Sequence, residues 1–224
     1  MRTKRAKCVQ IFLVLLTIAA LGGAAAGAQT AQAPQAPKPK YQTVTDAAVS
    51  FYRDFNTATA GNNTKQVPSD SFGVMGELRQ IQSPWIGYEI TYAFNKGNQY
   101  YEPNPGKCGF LCGNPKETIT AGANLVSMDW VPTHRLSNSV TAFGVAGMGF
   151  YIDVPIAQLG NLQTVVRPMW VYGGGIDWAF HPHMGLRLQY RGNFYKAPDL
   201  DNNYNATGSF AESYMPMIGF YFPL

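Results

Sequence analysis

Charge is the first thing this sequence has little of. Only 13% of its 224 residues are Asp, Glu, Lys or Arg, whereas about a quarter of the residues are charged in a typical soluble domain. The formal charge of +4 comes largely from the basic segment "MRTKRAK" at residues 1–7. Because the remainder is close to neutral, the basic composition gives little support for nucleic-acid binding, and we expect no nucleic-acid partner.

Long apolar runs are also missing, with one exception near the N terminus. The run "IFLVLLTIAALGGAAA" follows the basic segment, and Ala26, Gly27 and Ala28 are the small residues that signal peptidase reads. We predict a signal peptide over residues 1–28, cleaved between Ala28 and Gln29. An uncleaved anchor is the alternative, but the run is short and passes into Gly and Ala. No later stretch approaches the roughly 20 apolar residues of a membrane helix, so we expect an exported protein, either soluble or a membrane β-barrel.

Cysteine is scarce, with three in the chain. Cys8 lies inside the predicted signal peptide and should leave with it. Cys108 and Cys112 lie in "CGFLC", surrounded by Gly and Pro. Two exported thiols at this spacing should oxidise to a disulfide that closes a small loop. A metal site is the alternative, although no histidine lies nearby in sequence.

Alternation with a period of two residues is what the sequence has in abundance. After the signal, "QTAQAPQAPKPKYQ" is rich in Gln, Ala and Pro and predicts a disordered linker over residues 29–44. Beyond it, patterned runs alternate with turn-rich gaps, and no helical period is evident. Eight strands are predicted, at 46–59, 71–81, 84–95, 117–131, 138–151, 168–181, 183–195 and 210–222.

The connections between these strands alternate in length. Those at 60–70, 96–116, 152–167 and 196–209 are long, and those at 82–83, 132–137 and 182 are short. An antiparallel up-and-down barrel gives this order, and outer-membrane barrels have an even number of strands with short periplasmic turns. We therefore predict an all-β fold, an eight-stranded barrel over residues 45–224, with the linker in the periplasm.

The two faces of the predicted strands differ in size and charge. One face carries large rings, which exceed what the interior of an eight-stranded barrel holds, so we expect them to face lipid. The other face is small and carries a predicted interior ion network. Its members are Glu77, Arg79, Glu89, Asp177, Arg187 and Arg191. Charges in such number need partners when removed from water.

Aromatic residues collect at both ends of the predicted barrel. Two such girdles, one at each membrane interface, are typical of membrane barrels. At the short-connection end we expect Trp85, Trp130, Trp178, Phe180 and Phe222. At the long-connection end we expect Trp170, Tyr151, Phe194, Tyr195 and Tyr214.

Two strands carry irregular patterns. Pro216 falls inside the last strand, removes one ladder hydrogen bond, and predicts a bulge or local irregularity. In "ITAGANLVSMDW" the apolar phase changes after Leu125, so a bulge there is expected to turn Asp129 inward.

Histidine is too sparse to support catalysis. His134, His181 and His183 fall in the predicted short turns, so none lies beside an external nucleophile, as a catalytic triad requires. "HPH" supplies too few ligands for a closed zinc site. We expect no catalytic residues, no metal and no cofactor.

Several stretches resemble the small outer-membrane β-barrels of the OmpA-like or OmpX-like family. "YGGGIDWAFHPHMGLRLQYRGNFY" is similar to that family's C-terminal hairpin, and "AFGVAGMGFY" to its preceding strand. The resemblance covers about residues 71–224, without the peptidoglycan-binding domain of larger members. It implies recognition by the barrel-assembly machinery, which in many members reads a terminal aromatic residue. Here Leu224 is last and Phe222 lies two before it.

These observations predict an integral outer-membrane protein, monomeric, with its interior filled by side chains. Its role would be envelope integrity or surface contact, without catalysis, and its partners would be outer-membrane lipid and the assembly machinery. Two alternatives remain open. One is a soluble exported barrel that binds an apolar ligand, as a lipocalin does, and the other is a small pore or transporter.

Overall fold

The computed structural model describes residues 43–103, 117–156, 162–201 and 206–224. It contains eleven strands: β1 (Val44–Asn56), β2 (Thr59–Gly61), β3 (Thr64–Pro68), β4 (Ser71–Ser83), β5 (Ile86–Pro103), β6 (Glu117–Trp130), β7 (Thr133–Arg135), β8 (Val140–Pro155), β9 (Val165–His181), β10 (Met184–Lys196) and β11 (Phe210–Pro223). Within the described ranges, no helix combines the length and the hydropathy needed to cross a membrane. Cys108, Cys112, Ala28 and Gln29 lie outside these ranges.

Eight long strands close into one antiparallel barrel. Strand β1 pairs with β4 on one side and with β11 on the other. Antiparallel pairing continues from β4 through β5, β6, β8, β9 and β10 back to β11. The predicted fold class is therefore confirmed, and each of the eight predicted strands corresponds to one long strand of the barrel.

Three short strands were not predicted. Strands β2 and β3 form a hairpin, and β3 pairs with the far end of β5. Its turn places Asn62 and Asn63 at φ of 48° and 65°, the left-handed conformation that a tight hairpin turn requires and that Asn tolerates. Strand β7 pairs with the start of β8. The segments lie in connections whose polar, turn-rich composition indicated loops.

The irregularity predicted at Pro216 is present, although it is not a bulge, and the bulge predicted in β6 is absent. In β11 the register with β10 runs unbroken through Pro216. The defect is on the β1 side, where the pairing omits Arg53 and Asp54, because proline has no N–H to donate. In β6 the register with β5 and β8 is also continuous. Regular alternation alone turns both Leu125 and Asp129 inward.

The barrel is apolar outside, and its interior holds polar and charged side chains together with apolar ones. Along the long strands, exposed aliphatic and aromatic side chains alternate with side chains of several kinds that are buried inside the barrel. The buried set includes all three arginines of β4 and β10, at 1% exposure or less. Large rings face outward, as in a membrane barrel, rather than around an internal ligand cavity as in a soluble barrel.

Candidate functional site: the charged interior

Eight charged side chains meet inside the half of the barrel nearest the short connections. They are named the inner ion network, and they project from six strands at alternating positions. Its members are Asp46, Glu77, Arg79, Glu89, Asp129, Asp177, Arg187 and Arg191. Alternation is the reason for this convergence, because inward positions on neighbouring strands of a closed barrel point toward one axis.

Arg187 is the centre of the network. Its Nε and Nη2 atoms donate to the two oxygens of Asp177 at 2.7 and 3.0 Å. Its Nη1 donates to Glu77 at 2.9 Å, and its Nη2 to Asp46 at 2.9 Å. Arg187 is fully buried, so one guanidinium joins carboxylates from β1, β4 and β9. The bidentate pair with Asp177 is the geometry that makes arginine–carboxylate contacts strong.

Arg79 links the same cluster to β5. Its Nε donates to Glu89 Oε2 at 2.7 Å, and its Nη1 donates to Asp177 at 3.1 Å. Its guanidinium also lies 4.0 Å from the centre of the Phe143 ring. Arginine stacks on aromatic faces more readily than lysine does, so Phe143 supplies a surface on which the buried cation rests.

Arg191 completes the network on the β6 side. It donates to Glu89 Oε1 at 2.8 Å, to Asp129, and to Ser127 Oγ at 3.0 Å. Ser127 in turn donates to Asp129 at 2.8 Å. Space for the Asp129 carboxylate comes from Gly147, since a Cβ there would lie 2.1 Å from Asp129 Oδ1.

The network holds more acid than base. Five carboxylates surround three guanidinium groups, and each guanidinium contacts at least two of the carboxylates. Glu77 also accepts a 2.7 Å hydrogen bond from Ser50. Such connected pairing is what a buried charge requires, because an unpaired one is strongly unfavourable in a dry interior.

The sequence identified six of these eight residues as a site, and the structure brings all six together. Asp129 was expected inward but by way of a bulge. Asp46 was missed, although the signal was available: Asp46, Ala48, Ser50, Tyr52 and Asp54 alternate along β1 and are all buried.

Most of the predicted girdle residues lie on the outward face or in a turn. Six have exposures of 41–72%, and Phe194 is half-buried beneath Phe210, with ring centres 4.7 Å apart. At the short-connection end, Trp130 Nε1 donates to the carbonyl of Trp85 at 2.7 Å. The six are Trp85, Trp130, Trp170, Trp178, Phe180 and Phe222.

Two further residues expected in the outer girdle are inside the barrel. Tyr151 and Tyr195 are 4% and 2% exposed, and their rings stack at 4.2 Å with an interplanar angle of 9°. The reason is their phase, since Tyr195 shares the parity of Arg187 and Arg191 along β10. The expectation was wrong because it gave the aromatic character of these residues more weight than their position in the alternation of the strand.

A cavity of about 560 Å³ lies at the short-connection end. Its lining includes Asp46, Arg79 and Asp177 of the inner ion network, together with His134 and Arg135 of the β6–β8 connection. His181 and His183 also lie at this end, where the His183 N–H donates to His181 Nδ1 at 3.2 Å. All three histidines are thus on the side expected from the sequence.

The opposite half of the interior has a different composition. Its side chains are named the outer polar layer: Asp54, Gln66, Asn95, Gln99 and Asp153, each 7% exposed or less. Asn95 donates to Asp54 at 2.7 Å, and Gln66 donates to Gln99 at 3.0 Å. This layer carries two acids and no base.

An apolar cluster near the long connections involves the segment that follows β10. Leu200 is fully buried against Tyr101, Ile119 and Val165. The hydroxyl of Tyr101 donates to the carbonyl of Pro198 at 3.1 Å and accepts from the N–H of Leu200 at 3.2 Å. These contacts fix the segment against the ends of β5, β6 and β9.

The same segment carries one ion pair, between Asp199 and Arg167 at 3.2 Å. Partial burial raises the pKa of the Asp199 carboxyl above its ordinary value, and the charges of Arg167 and Lys196 oppose that rise. The pair is partly exposed, so its contribution to stability is small.

Three solved barrels have similar folds at low sequence identity. The attachment invasion locus protein Ail of Yersinia pestis, solved with the heparin analogue sucrose octasulfate, is 14% identical, with a TM-score of 0.46 over 81% of this chain and 100% of its own. OprG of Pseudomonas aeruginosa is 12% identical, with a TM-score of 0.49 over 81% and 95%. Neisserial surface protein A is 9% identical, with a TM-score of 0.48 over 80% and 96%. No functionally curated protein matches the sequence.

The family is shown by sequence rather than by these neighbours. A sequence model described as the outer membrane protein beta-barrel domain matches residues 16–211, which is most of the chain. The closed antiparallel barrel with its apolar exterior is the structure this family requires. The chain therefore belongs to the outer-membrane β-barrel protein family, and its place is the bacterial outer membrane, in contact with lipid.

Proposed function

We propose that this protein is a structural outer-membrane barrel with a closed lumen and no catalytic activity. Its role would be envelope integrity or surface contact, with the long connections toward the outside and the short ones toward the periplasm. The observation that carries the proposal is the inner ion network, in which three buried arginines join carboxylates from β1, β4, β5, β6 and β9.

A closed lumen follows from where this network lies. An eight-stranded barrel has an interior about wide enough for side chains to fill. Here the filling is connected, since Arg187 and Arg79 share Asp177, and Arg79 and Arg191 share Glu89. An ion that crossed would have to separate these pairs.

Conductance tests the closed lumen. The full chain, refolded in detergent and added to planar bilayers, should give no discrete current steps across the voltage range at which the empty bilayer is stable. A large porin measured in the same bilayers serves as the positive control. A reproducible unitary conductance from the pure protein would reject the closed lumen and favour a small pore.

A deletion strain tests the envelope role. Cells lacking the chain should become more sensitive to bile salts and to large antibiotics that an intact outer membrane excludes, and the parent gene should restore resistance. Unchanged sensitivity, combined with lost adherence to surfaces, would assign the role to surface contact instead. Unchanged behaviour in both assays would reject the proposal.

The proposed biogenesis has its own tests. We propose cleavage between Ala28 and Gln29, a periplasmic linker over residues 29–44, and a disulfide between Cys108 and Cys112. The intact mass of protein isolated from the outer membrane checks the cleavage and, before and after reduction, the disulfide. A mature mass that retains residues 1–28, or free thiols at both cysteines, would contradict these assignments.

We also propose a monomer that is inserted by the barrel-assembly machinery. The aromatic residues at both ends, including Trp85, Trp170 and Phe222, would lie at the two membrane interfaces. Cross-linking in native membranes should give no adduct of two copies. Phe222→Ala should slow assembly because it removes an outward aromatic near the C terminus.

A further inference from the structure

Two basic side chains lie at the same level on the outward face of the barrel. Arg53 on β1 and Lys96 on β5 both occupy exposed positions. Phe72, on the strand between them, pairs with Arg53. The β4–β5 register, continued by one residue past its last pair, places Lys96 on the other side of Phe72. Because neighbouring strands lie about 4.8 Å apart, the two basic residues are separated by roughly 10 Å at their Cα atoms.

The level of these cations matches one boundary of the membrane. A tilted strand needs about 9–11 residues to cross the hydrocarbon core, and segments 44–53 of β1 and 87–96 of β5 have that length. Both segments start beside Ile81, which pairs with Val44 on one side and with Gly87 on the other. The outward residues that precede the cation in each segment are uncharged. The two basic groups therefore lie where lipid headgroups meet the barrel.

An apolar groove extends from Arg53 along the lipid-facing side of β1 and β11. Its volume is about 370 Å³, and its lining includes Phe51, Phe72, Pro216 and Ile218. A volume of that size is within the range of small-molecule sites. The groove lies where the β1–β11 ladder is interrupted, and Phe51 pairs with Ile218 on the side of the interruption away from the long connections. It thus joins a basic group at one end to apolar side chains along its length.

The charges beside the groove are not balanced within the chain. Arg53 pairs with Asp70 at 3.3 Å, and both side chains are about half exposed. The Arg53 guanidinium also lies 4.7 and 5.6 Å from the ring centres of Phe55 and Phe72. Lys96 forms no ion pair among the described residues, which include every Asp and Glu of the sequence. Two cations beside one carboxylate leave one positive charge.

We propose that this groove binds one membrane lipid whose phosphate headgroup carries a net negative charge. The phosphate would lie between Arg53 and Lys96, and an acyl chain would lie against Phe51 and Ile218. Arginine contacts phosphate through two parallel N–H groups and lysine through a point charge. The single negative charge of the headgroup matches the one unbalanced positive charge. The inference rests on the place of the barrel in the outer membrane, and it is independent of the closed lumen and of the envelope role.

Lipid retained by the purified barrel is the direct test. The full chain is refolded in an uncharged detergent without phospholipid and equilibrated with phosphatidylglycerol, or with phosphatidylcholine that has the same acyl chains. Native mass spectrometry then counts the lipids bound to each chain. We expect one copy of phosphatidylglycerol to be retained at a concentration at which zwitterionic phosphatidylcholine is lost. Equal retention of the two lipids would overturn the proposal, because the barrel would then contact lipid without selecting its charge.

Single substitutions show whether the retained lipid lies in this groove. Arg53→Gln and Lys96→Gln should each weaken the retention of phosphatidylglycerol roughly fivefold, the effect expected of one basic residue at a membrane surface. Asp70→Asn should strengthen it, because it removes the carboxylate that competes with phosphate for Arg53. The matched control is Lys196→Gln, an outward position at the end of β10 that is not part of the groove lining. Equal losses for Lys196→Gln and Lys96→Gln would overturn the site.

Two further measurements separate the lipid from a free anion. Inorganic phosphate in excess should leave the retained lipid in place, because it does not fill the groove. Displacement of the lipid by phosphate would overturn the lipid site and assign the two cations to a free anion. Ile218→Trp narrows the groove without changing its charge and should reduce retention, and parental retention in this variant would reject the acyl-chain contact.

Folding is checked in the same detergent without lipid. The urea midpoints of Arg53→Gln and Lys96→Gln should match the parent's, since exposed charges contribute little to stability. Arg53→Lys keeps the charge and should retain more lipid than Arg53→Gln does. Equal losses in the two variants at position 53 would mean that packing on the aromatic rings, and not charge, sets retention, and would overturn the proposal.

Discussion

The two halves of the barrel interior contain buried carboxylates in opposite settings. In the inner ion network each carboxylate contacts an arginine. The single guanidinium of Arg187 contacts Asp46, Glu77 and Asp177. In the outer polar layer, Asp54 and Asp153 accept hydrogen bonds from neutral groups, among them the amides of Asn95 and Gln99. In the first arrangement the carboxylates contact guanidinium groups, whereas in the second the described residues place no cationic side chain within ion-pair distance of Asp54 or Asp153.

This difference follows from which strands carry arginine. Fully buried arginines occur on β4 and β10, at positions 79, 187 and 191, all in the half nearer the short connections. In the other half Arg167, on the inward phase of β9, is partly exposed and pairs with Asp199. Farther along the same face of β10, the inward residues are Asn193 and Tyr195. The sequence thus supplies three fully buried guanidinium groups to one half of the interior and mainly neutral polar groups to the other.

The largest effect is expected from removing the central cation. Arg187→Leu should destabilise the barrel by about 3–5 kcal/mol, because it leaves Asp46, Glu77 and Asp177 without their shared partner. Urea unfolding in detergent, followed by tryptophan fluorescence, measures the change. Arg53→Leu is the control, since its ion pair with Asp70 is half exposed and should contribute about 1 kcal/mol or less. A variant at position 187 with the parent's midpoint would contradict the account of the inner ion network.

A smaller effect is expected from filling the space beside Asp129. Gly147→Ala would place a Cβ 2.1 Å from Asp129 Oδ1 and 2.4 Å from the carbonyl of Met128. Displacing these groups should destabilise the barrel by about 1–3 kcal/mol. Gly76→Ala meets no heavy atom within 4 Å and should change stability by about 0.5 kcal/mol at most. Similar losses for the two variants would mean that the effect belongs to glycine in strands generally and not to Asp129.

The smallest effect is expected in the half with the outer polar layer. Tyr195→Leu removes the stack on Tyr151 and should lose about 0.5–1.5 kcal/mol beyond the change in buried area. Tyr195→Phe keeps the ring and should lose less than the leucine variant. The same unfolding assay applies, and a phenylalanine variant as unstable as the leucine one would assign the effect to the hydroxyl group.

Much of the barrel was predictable because a strand that separates lipid from a polar interior must alternate. The alternation of long and short connections then indicated the topology. The six charged residues of the predicted ion network were correctly assigned to the inward face. The errors arose where residue type was given more weight than phase. Leu125 is apolar yet inside, and Tyr151 and Tyr195 are aromatic yet inside, which strict alternation from Asp129 or Arg187 would have indicated.

Other features depend on contacts between segments distant in sequence. The pairing of β3 with β5 joins Val67 to Tyr100, and no local pattern in "TKQVP" indicates it. Register of this kind is fixed by the closed barrel as a whole.

The most direct test of the contrast between the two layers is one pair of unfolding curves. Arg187→Leu and Asp54→Asn would be compared with the parent in the same detergent, in EDTA, at neutral pH. We expect shifts of opposite sign: a clearly lower urea midpoint for Arg187→Leu, and a midpoint equal to or above the parent's for Asp54→Asn. A lowered midpoint for both variants would show that the neutral partners of Asp54 compensate its charge as fully as the arginines compensate the inner carboxylates, and would contradict the distinction between the two layers.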